Sequence, residues 1–522
     1  MYKKCSIFLG ILLLTSQITP LWAAPDDLQF MLQGLPGSCP AVPAGGNTEI
    51  RQQLIELYQQ RAFQPVWAEP GQLAGLAEQL EQLADDGLNP ANYQLPAIRA
   101  MAAGKPHDTC RDILASFAYL QALHDLHWGR LARTEIEPLW HSEYTPVALQ
   151  VLTSNQLTLG DLPTAFNEAR PALRQYQQLR QSYARVRQTT LPEWPLVASG
   201  PLLKPGMQDP RLPVIEQRLI GEGYLPASIA NPQDLQYNEQ RLAALKDFQR
   251  EHALQADGIV GPGTLSELNI SPAQRRDQLR INLERWRWLA PNIDPETLLV
   301  DISAAQLSYY NDHVLQWKTR TQVGRAERQT PQLKSVLTRI TLNPTWTVPP
   351  TILKKDKLPA IKADPGFLAK HQMRVLDLQG QPLDPATVDW QRPGAIMLRQ
   401  DAGPQNPLGR MALRFPNPFS VYLHDTPSQA LFEKSPRPFS SGCVRVEGVG
   451  RVLELLLSEV ERKQVDGLLA SGNTVEYKLP RQVPIVMAYW TAEADELSQP
   501  LFRPDIYGHD AKLIAALNAA TR

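Results

Sequence analysis

The sequence predicts a multidomain chain, with a mainly β domain in the C-terminal half preceded by two α-helical domains. Three observations predict it. The 522 residues exceed what one hydrophobic core organises, and 43% hydrophobic content suffices for two or three. Apolar residues recur at helical spacing from about Asn47 to Thr190. From Thr297 onward the chain turns to runs of β-branched and aromatic residues.

The first 23 residues read as a secretory signal peptide. Lys3 and Lys4 precede an apolar stretch, Ile7 to Leu14, and small residues stand at Ala23 and Ala24, so cleavage is expected after Ala23. Ser16, Gln17, Thr19 and Pro20 interrupt the apolar run short of the roughly 20 residues a membrane span needs. Cys5 lies among the charged residues, too early for lipidation after cleavage. No integral membrane span is expected in the mature chain.

A helical scaffold domain is expected over 24–200, with Leu54, Leu57 and Tyr58, then Leu73, Leu76, Leu80 and Leu83, at helical spacing. Its aromatics, including Trp67, are read as core. His124 and His127, three apart on one helix, lack a third ligand and are read as partly buried. Pro192, Pro195, Gly200, Pro201, Pro205 and Gly206 form a linker to a compact helical unit at 204–270. There Leu245, Phe248, Leu254 and Leu268 supply apolar positions, and Asp257-Gly258 and Gly261-Pro262-Gly263 supply turn chemistry between helices.

A connecting helix, 271–296, leads to strands expected at Thr297–Ile302, Leu307–Tyr310, His313–Val323 and Val336–Trp346. These begin a β domain over 297–480. An irregular insertion at about 351–409 is long enough to be functional, and 481–522 is read as a C-terminal extension.

The chemistry concentrates at His424 and at Ser440-Ser441-Gly442-Cys443-Val444-Arg445. A free thiol with pKa about 8.5 is only a few per cent ionised at neutral pH and needs a base or a cation beside it to act as a nucleophile. His424 offers the base and Arg445 the cation. Val421-Tyr422-Leu423 reads as a strand delivering His424, and the Ser-Ser-Gly turn feeds a second strand from Val444 to Val446. One Cys and one His fall short of a zinc site, so no metal or cofactor is expected. A net charge of −1, from 52 Lys and Arg against 53 Asp and Glu, gives no basic field for nucleic acid.

With His424 followed by S-x-G-C-x-R, the chain resembles the L,D-transpeptidase family, whose catalytic domain is of the YkuD type, and within it the large periplasmic YcbB-like branch. The resemblance implies Cys443 as nucleophile and His424 as base, with backbone N–H groups around Gly442 and Cys443 as oxyanion hole. It further implies Tyr422, Ser440, Ser441, Arg445 and Trp346 as the substrate-binding set, Trp346 through Asn343-Pro344-Thr345-Trp346. Many members carry His before Gly-Cys where this chain has Ser441, which leaves a backbone carbonyl of this turn or the Ser441 hydroxyl to orient His424. The unit at 204–270 resembles the peptidoglycan-binding domain, and the insertion resembles a cap that would act as a lid.

The expected activity is formation of peptidoglycan cross-links between third-position stem residues through a cysteine acyl-enzyme, with release of D-alanine. Donor and acceptor stem peptides are the expected partners, with cell-wall synthesis proteins beside them, in the periplasm. The alternatives are an L,D-carboxypeptidase, a lipoprotein-anchoring transferase, and a non-catalytic wall-binding scaffold. Signal cleavage leaves three cysteines, and with Cys443 as nucleophile Cys39 and Cys110 are the candidate disulfide pair. Spacing does not say whether they approach to bonding distance.

Overall fold

The computed structural model describes residues 25–43, 48–69, 71–104, 108–137, 141–142 and 161–519. The expected signal peptide and Cys5 lie outside the described residues. The chain divides into two compact units: Met1–Glu81 with Pro90–Ala122 and Val151–Ala165, and Gln82–Asn89 with Leu123–Gln150 and Phe166–Arg522.

The first unit is helical. Thr48–Gln60, Gln72–Gln82 and Leu95–Ala102 bury Leu54, Leu57, Tyr58, Leu76, Leu80 and Ile98. Their scaffold aromatics are core residues, and Tyr58, Trp67 and Tyr93 are buried. A buried carboxylate organises them: Asp112 accepts hydrogen bonds from the Tyr58 hydroxyl (2.5 Å) and from the backbone N–H groups of Val66 and Trp67 (both 3.0 Å). Three donors offset the cost of removing that charge from water. Cys39 and Cys110 are bonded as a disulfide, with Cα atoms 5.5 Å apart.

In the second unit, Leu212–Gly221, Glu239–Glu251 and Pro262–Leu268 pack around Leu245, Phe248, Leu254 and Leu268. The Gln249 amide fastens the turn between the last two, accepting from Gly258 N (2.8 Å) and donating to Ile259 O (3.0 Å).

Pro272–Leu289 is more than a connector. Ser271 and Gln274 cap it reciprocally, and residues from Leu279 to Leu289 are buried round most of its circumference. Leu279, Leu283 and Trp286 pack against Tyr176, Leu179 and Tyr183 of Arg174–Gln188. A helix expected in the scaffold domain of 24–200 therefore belongs with the second unit, because its apolar stripe is covered by this central helix.

Among the described residues ten strands share the main sheet: Thr297–Asp301, Gln306–Asn311, Val314–Gly324, Leu333–Leu342, Met411–Arg414, Leu423–His424, Val444–Val446 and Val475–Ala488, with the short His141–Ser142 beside Leu333 and Pro438–Ser440 beside Val323 and Gly324. Val475–Ala488 pairs in parallel with Thr297–Asp301 and antiparallel with Leu333–Leu342, so all but His141–Ser142 and Pro438–Ser440 form a closed ring of pairings. Closure removes the sheet edges. Val300, Leu307, Ile340, Leu413, Leu423, Val444 and Ile485 fill the core.

Two expectations are corrected here. The boundary at 480 cuts through Val475–Ala488, where the polar run Pro480-Arg481-Gln482 is a register shift between Lys478 and Val483 and not a strand end. The strand expected over Val336–Trp346 stops at Leu342, because Asn343 takes a left-handed φ of 44° ahead of Pro344. Trp346–Thr347 then joins a second, four-stranded sheet with Met397–Gln400, Met373–Leu376 and Pro382–Leu383. That sheet has its own core of Val348, Ile361, Leu368, Val375 and Leu398.

Candidate active site

Leu423 pairs with Val444, and His424 with Arg445, in parallel register. Leu423 and Val444 both point into the core of the ring. Side chains alternate along a strand, so His424, Arg445 and Tyr422 leave by the opposite face. The tie continues one residue back, where Val444 N donates to Tyr422 O (3.1 Å) and sets Cys443 beside Tyr422.

Two neighbouring strands extend this face. Met411–Arg414 pairs Leu413 with Leu423, which turns Arg414 to the His424 side. The Arg414 guanidinium lies 4.0 Å from the centre of the Tyr422 ring, and its Nε donates to Thr341 Oγ1 (3.1 Å). On the other flank, Arg445 Nη1 donates to Gln322 Oε1 (2.9 Å). Two cations thus border Tyr422 and His424.

The His424 ring is buried, and its Nδ1–H donates to the Asp425 carbonyl at 2.5 Å. That bond fixes the tautomer and leaves Nε2 with its lone pair. Burial, with the charges of Arg445 and Arg414, pushes the imidazole down to about 3, against the Asp425 bond. The base is neutral at physiological pH. Neither group expected to orient His424 does so, since its own neighbour's carbonyl supplies the bond and Ser441 is engaged elsewhere.

Cys443 is the free cysteine among the described residues and is partly exposed. Burial pushes its thiol up, while hydrogen bonding with Tyr422 and the charges of Arg414 and Arg445 pull the other way. Among the described residues no hydrogen bond joins the sulfur to His424.

The turn before Cys443 is held from within and from behind. Gly442 has φ of 118°, a conformation costly to any residue with a Cβ. Ser440 is buried, donating to Cys443 O (2.5 Å) and accepting from Gly442 N (3.1 Å). Ser441 Oγ accepts from Arg328 Nη1 (3.0 Å) and Arg325 Nη2 (3.4 Å). Arg328 also pairs bidentately with Asp356 (2.6 and 2.8 Å), which lies on a π-helical turn, Leu353–Lys357, of the small-sheet region. Trp346 is buried in the small sheet's core, with Lys357 Nζ 5.3 Å from its ring centre. Tyr422 packs against that same core.

Residues 295–460 match the family model for the L,D-transpeptidase catalytic domain. The chain also matches the "Scaffold domain" over residues 52–182 and the "Putative peptidoglycan binding domain" over 208–268. A protein of Haemophilus influenzae named "Putative L,D-transpeptidase" is 34% identical over 261 residues, covering 49% of this chain and 52% of that protein. The match thus spans about half the length of that relative. Among solved structures, an L,D-transpeptidase from Stackebrandtia nassauensis aligns over 56% of this chain and 97% of its own, with 14% identity and a TM-score of 0.21. One from Mycobacterium smegmatis aligns over 37% and 58%, with 13% identity and a TM-score of 0.18.

Arg414, Arg325 and Arg328 were not legible as neighbours of the site. The alternation Met411-Ala412-Leu413-Arg414 places an Arg on the outer face of a strand, but only the pairing with Leu423 says which face that is.

Proposed function

We propose that this protein forms peptidoglycan cross-links between third-position stem residues, through an acyl-enzyme on Cys443. The observation that carries the reading is the register of Leu423–His424 against Val444–Val446, which sets a thiol, a neutral imidazole and two guanidiniums around one short turn.

In the first half-reaction His424 Nε2 takes the thiol proton as sulfur attacks the carbonyl carbon of the donor's third residue. The C–S bond forms and the oxyanion meets backbone N–H groups of the turn, a contribution commonly worth about 3–4 kcal/mol per donor. Collapse breaks the C–N bond, and the imidazolium returns its proton to the departing D-alanine amine. In the second half-reaction His424 deprotonates the acceptor's side-chain amine, which attacks the thioester, and sulfur leaves. No step calls on a cofactor or metal. Arg445 and Arg414 suit the carboxylates of stem peptides.

In this reading residues 1–23 direct export to the periplasm, the region at 204–270 holds the wall, and the insertion at about 351–409 is a lid, as in the YcbB-like branch. Incubating the mature protein with purified wall fragments, with and without a lipoprotein acceptor, and resolving products by mass spectrometry tests it. Cross-linked dimers linking two third-position residues are expected. Tripeptides alone would point to a carboxypeptidase, lipoprotein conjugates to an anchoring transferase, and unchanged fragments to a binding scaffold.

A further inference from the structure

Behind the nucleophile turn lies a closed set of hydrogen bonds with no partner role in the chemistry above. Gly324 N donates to Thr330 Oγ1 (2.8 Å), and Thr330 Oγ1 donates to the Gly442 carbonyl (2.9 Å). Thr330 N donates to the Tyr507 hydroxyl (3.1 Å), which donates to Gly324 O (2.7 Å). Thr330 is 3% exposed, so its hydroxyl is committed to this ring and not to solvent. Tyr507 is anchored in turn: its ring stacks on Tyr489 with centres 5.4 Å apart, and its N–H donates to the Tyr489 hydroxyl (3.2 Å). The Tyr489 hydroxyl donates to Asp505 (2.6 Å).

The Gly442 carbonyl and the Cys443 N–H belong to one peptide group. A trans peptide is planar, so its C=O and N–H point in opposite directions and fixing one fixes the other. Thr330 draws the Gly442 oxygen toward the Gly324–Thr330 loop. The Cys443 N–H must then face away from that loop, and among the described residues it donates to no protein group. Gly442 N, by contrast, is already taken by Ser440 Oγ.

We infer that Thr330, locked by Tyr507, is a positioning residue that aims the Cys443 N–H as the free oxyanion donor of this site. The inference rests on the acyl-enzyme reading above and assigns the C-terminal segment a part in it. It gives the two N–H groups of the turn unequal standing: Cys443 N–H is ready, and Gly442 N–H needs Ser440 to move.

The test compares two reactions of the same thiol in the full-length protein. Iodoacetamide alkylation forms a C–S bond at a saturated carbon with loss of iodide, so no oxyanion develops. Acylation by a carbapenem adds sulfur to the lactam carbonyl and breaks the C–N bond, with the thiol proton going to the nitrogen, and passes through an oxyanion. Thr330→Val should slow acylation by about 10-fold or more while leaving alkylation within about 2-fold, as expected when a donor is misaimed. Thr330→Ser, which keeps the hydroxyl, should restore acylation. Tyr507→Phe should show the same split in smaller measure and serves if Thr330→Val does not fold. Parallel loss of both reactions, or no loss of acylation, would overturn the inference. Absence of any acyl adduct on wild-type Cys443 would instead overturn the parent reading.

Discussion

His424 Nδ1 and the carbonyl oxygen of Asp425 stand 2.5 Å apart, a bond between adjacent residues that leaves Nε2 as the ring's acceptor. Asp425 is itself fixed, its carboxylate accepting from Arg410 N (2.8 Å) and its N–H donating to Met411 O (3.0 Å). Gly409 makes room for it: a Cβ there would fall 2.4 Å from the Asp425 carboxyl carbon. The orientation of the base is thus set by the loop after Leu408.

Because His424 is pushed down to about 3 and the thiol is pushed up, both groups are neutral in the resting site at pH 7. Alkylation of Cys443 should therefore rise with pH along one limb, with an apparent pKa above the free-cysteine value of about 8.5. His424→Ala should leave that midpoint nearly unchanged yet slow acylation at neutral pH, since a neutral ring contributes proton transfer and not charge. Rates measured from pH 5 to 10 for both forms check this. A reactive plateau below pH 6 that disappears in His424→Ala would reveal a thiolate–imidazolium pair instead.

Cys443→Ala should abolish product and carbapenem adduct while leaving thermal unfolding close to wild type. The side chain is partly exposed and caps a turn whose hydrogen bonds run through Ser440, Thr330 and the backbone. Intact-mass spectrometry and a melting curve on the same sample are sufficient. Turnover near the wild-type rate would remove Cys443 from the chemistry.

The bridge between Cys39 and Cys110 closes 71 residues of sequence separation within the first unit. Constraining a loop of that size stabilises a fold by about 2–5 kcal/mol. Paired Cys39→Ser and Cys110→Ser substitution should lower the unfolding free energy of this unit by that measure, followed by denaturant titration of the oxidised and substituted proteins. Equal stabilities would mean the loop is held without the bond.

The nucleophile and base were legible because they lie on one short stretch, with turn chemistry between two apolar strands. Tyr58, Trp67, Phe248 and Leu254 were legible as core for a similar reason, since helical spacing is a local signal. The closed ring was not. Its closing strand pairs Ile485 with Leu298 and Ser335, far away in sequence, and a polar bulge at 480–482 conceals its continuity. Arg174–Gln188 likewise carries a helical pattern that announces a buried face but not which neighbour buries it. Thr330 and Tyr507 meet only through tertiary folding, with separate segments converging on Gly442.

His252 gives a stability signature that separates folding from catalysis. Its ring is buried, stacks on Phe248 with centres 4.1 Å apart, and bonds through Nδ1–H to Phe248 O (2.9 Å). Burial, then the charges of Arg275 and Arg218, pushes it down to about 3 from an ordinary value near 6.5. The folded pKa is the lower one, so between about pH 6.5 and 3 the unfolded chain binds a proton that the native ring refuses. Stability from this group is therefore constant above about pH 6.5 and falls on acidification, by up to about 1.4 kcal/mol per pH unit. His424 adds a contribution of the same sign. His252→Phe removes one titrating ring while keeping an aromatic side chain, so carboxylate effects cancel when the two proteins are compared. Denaturant titrations at pH 7 and pH 5 should show the wild type losing about 2 kcal/mol more than the variant over that interval. Identical losses would mean that His252 takes up its proton in the folded protein near the ordinary pH.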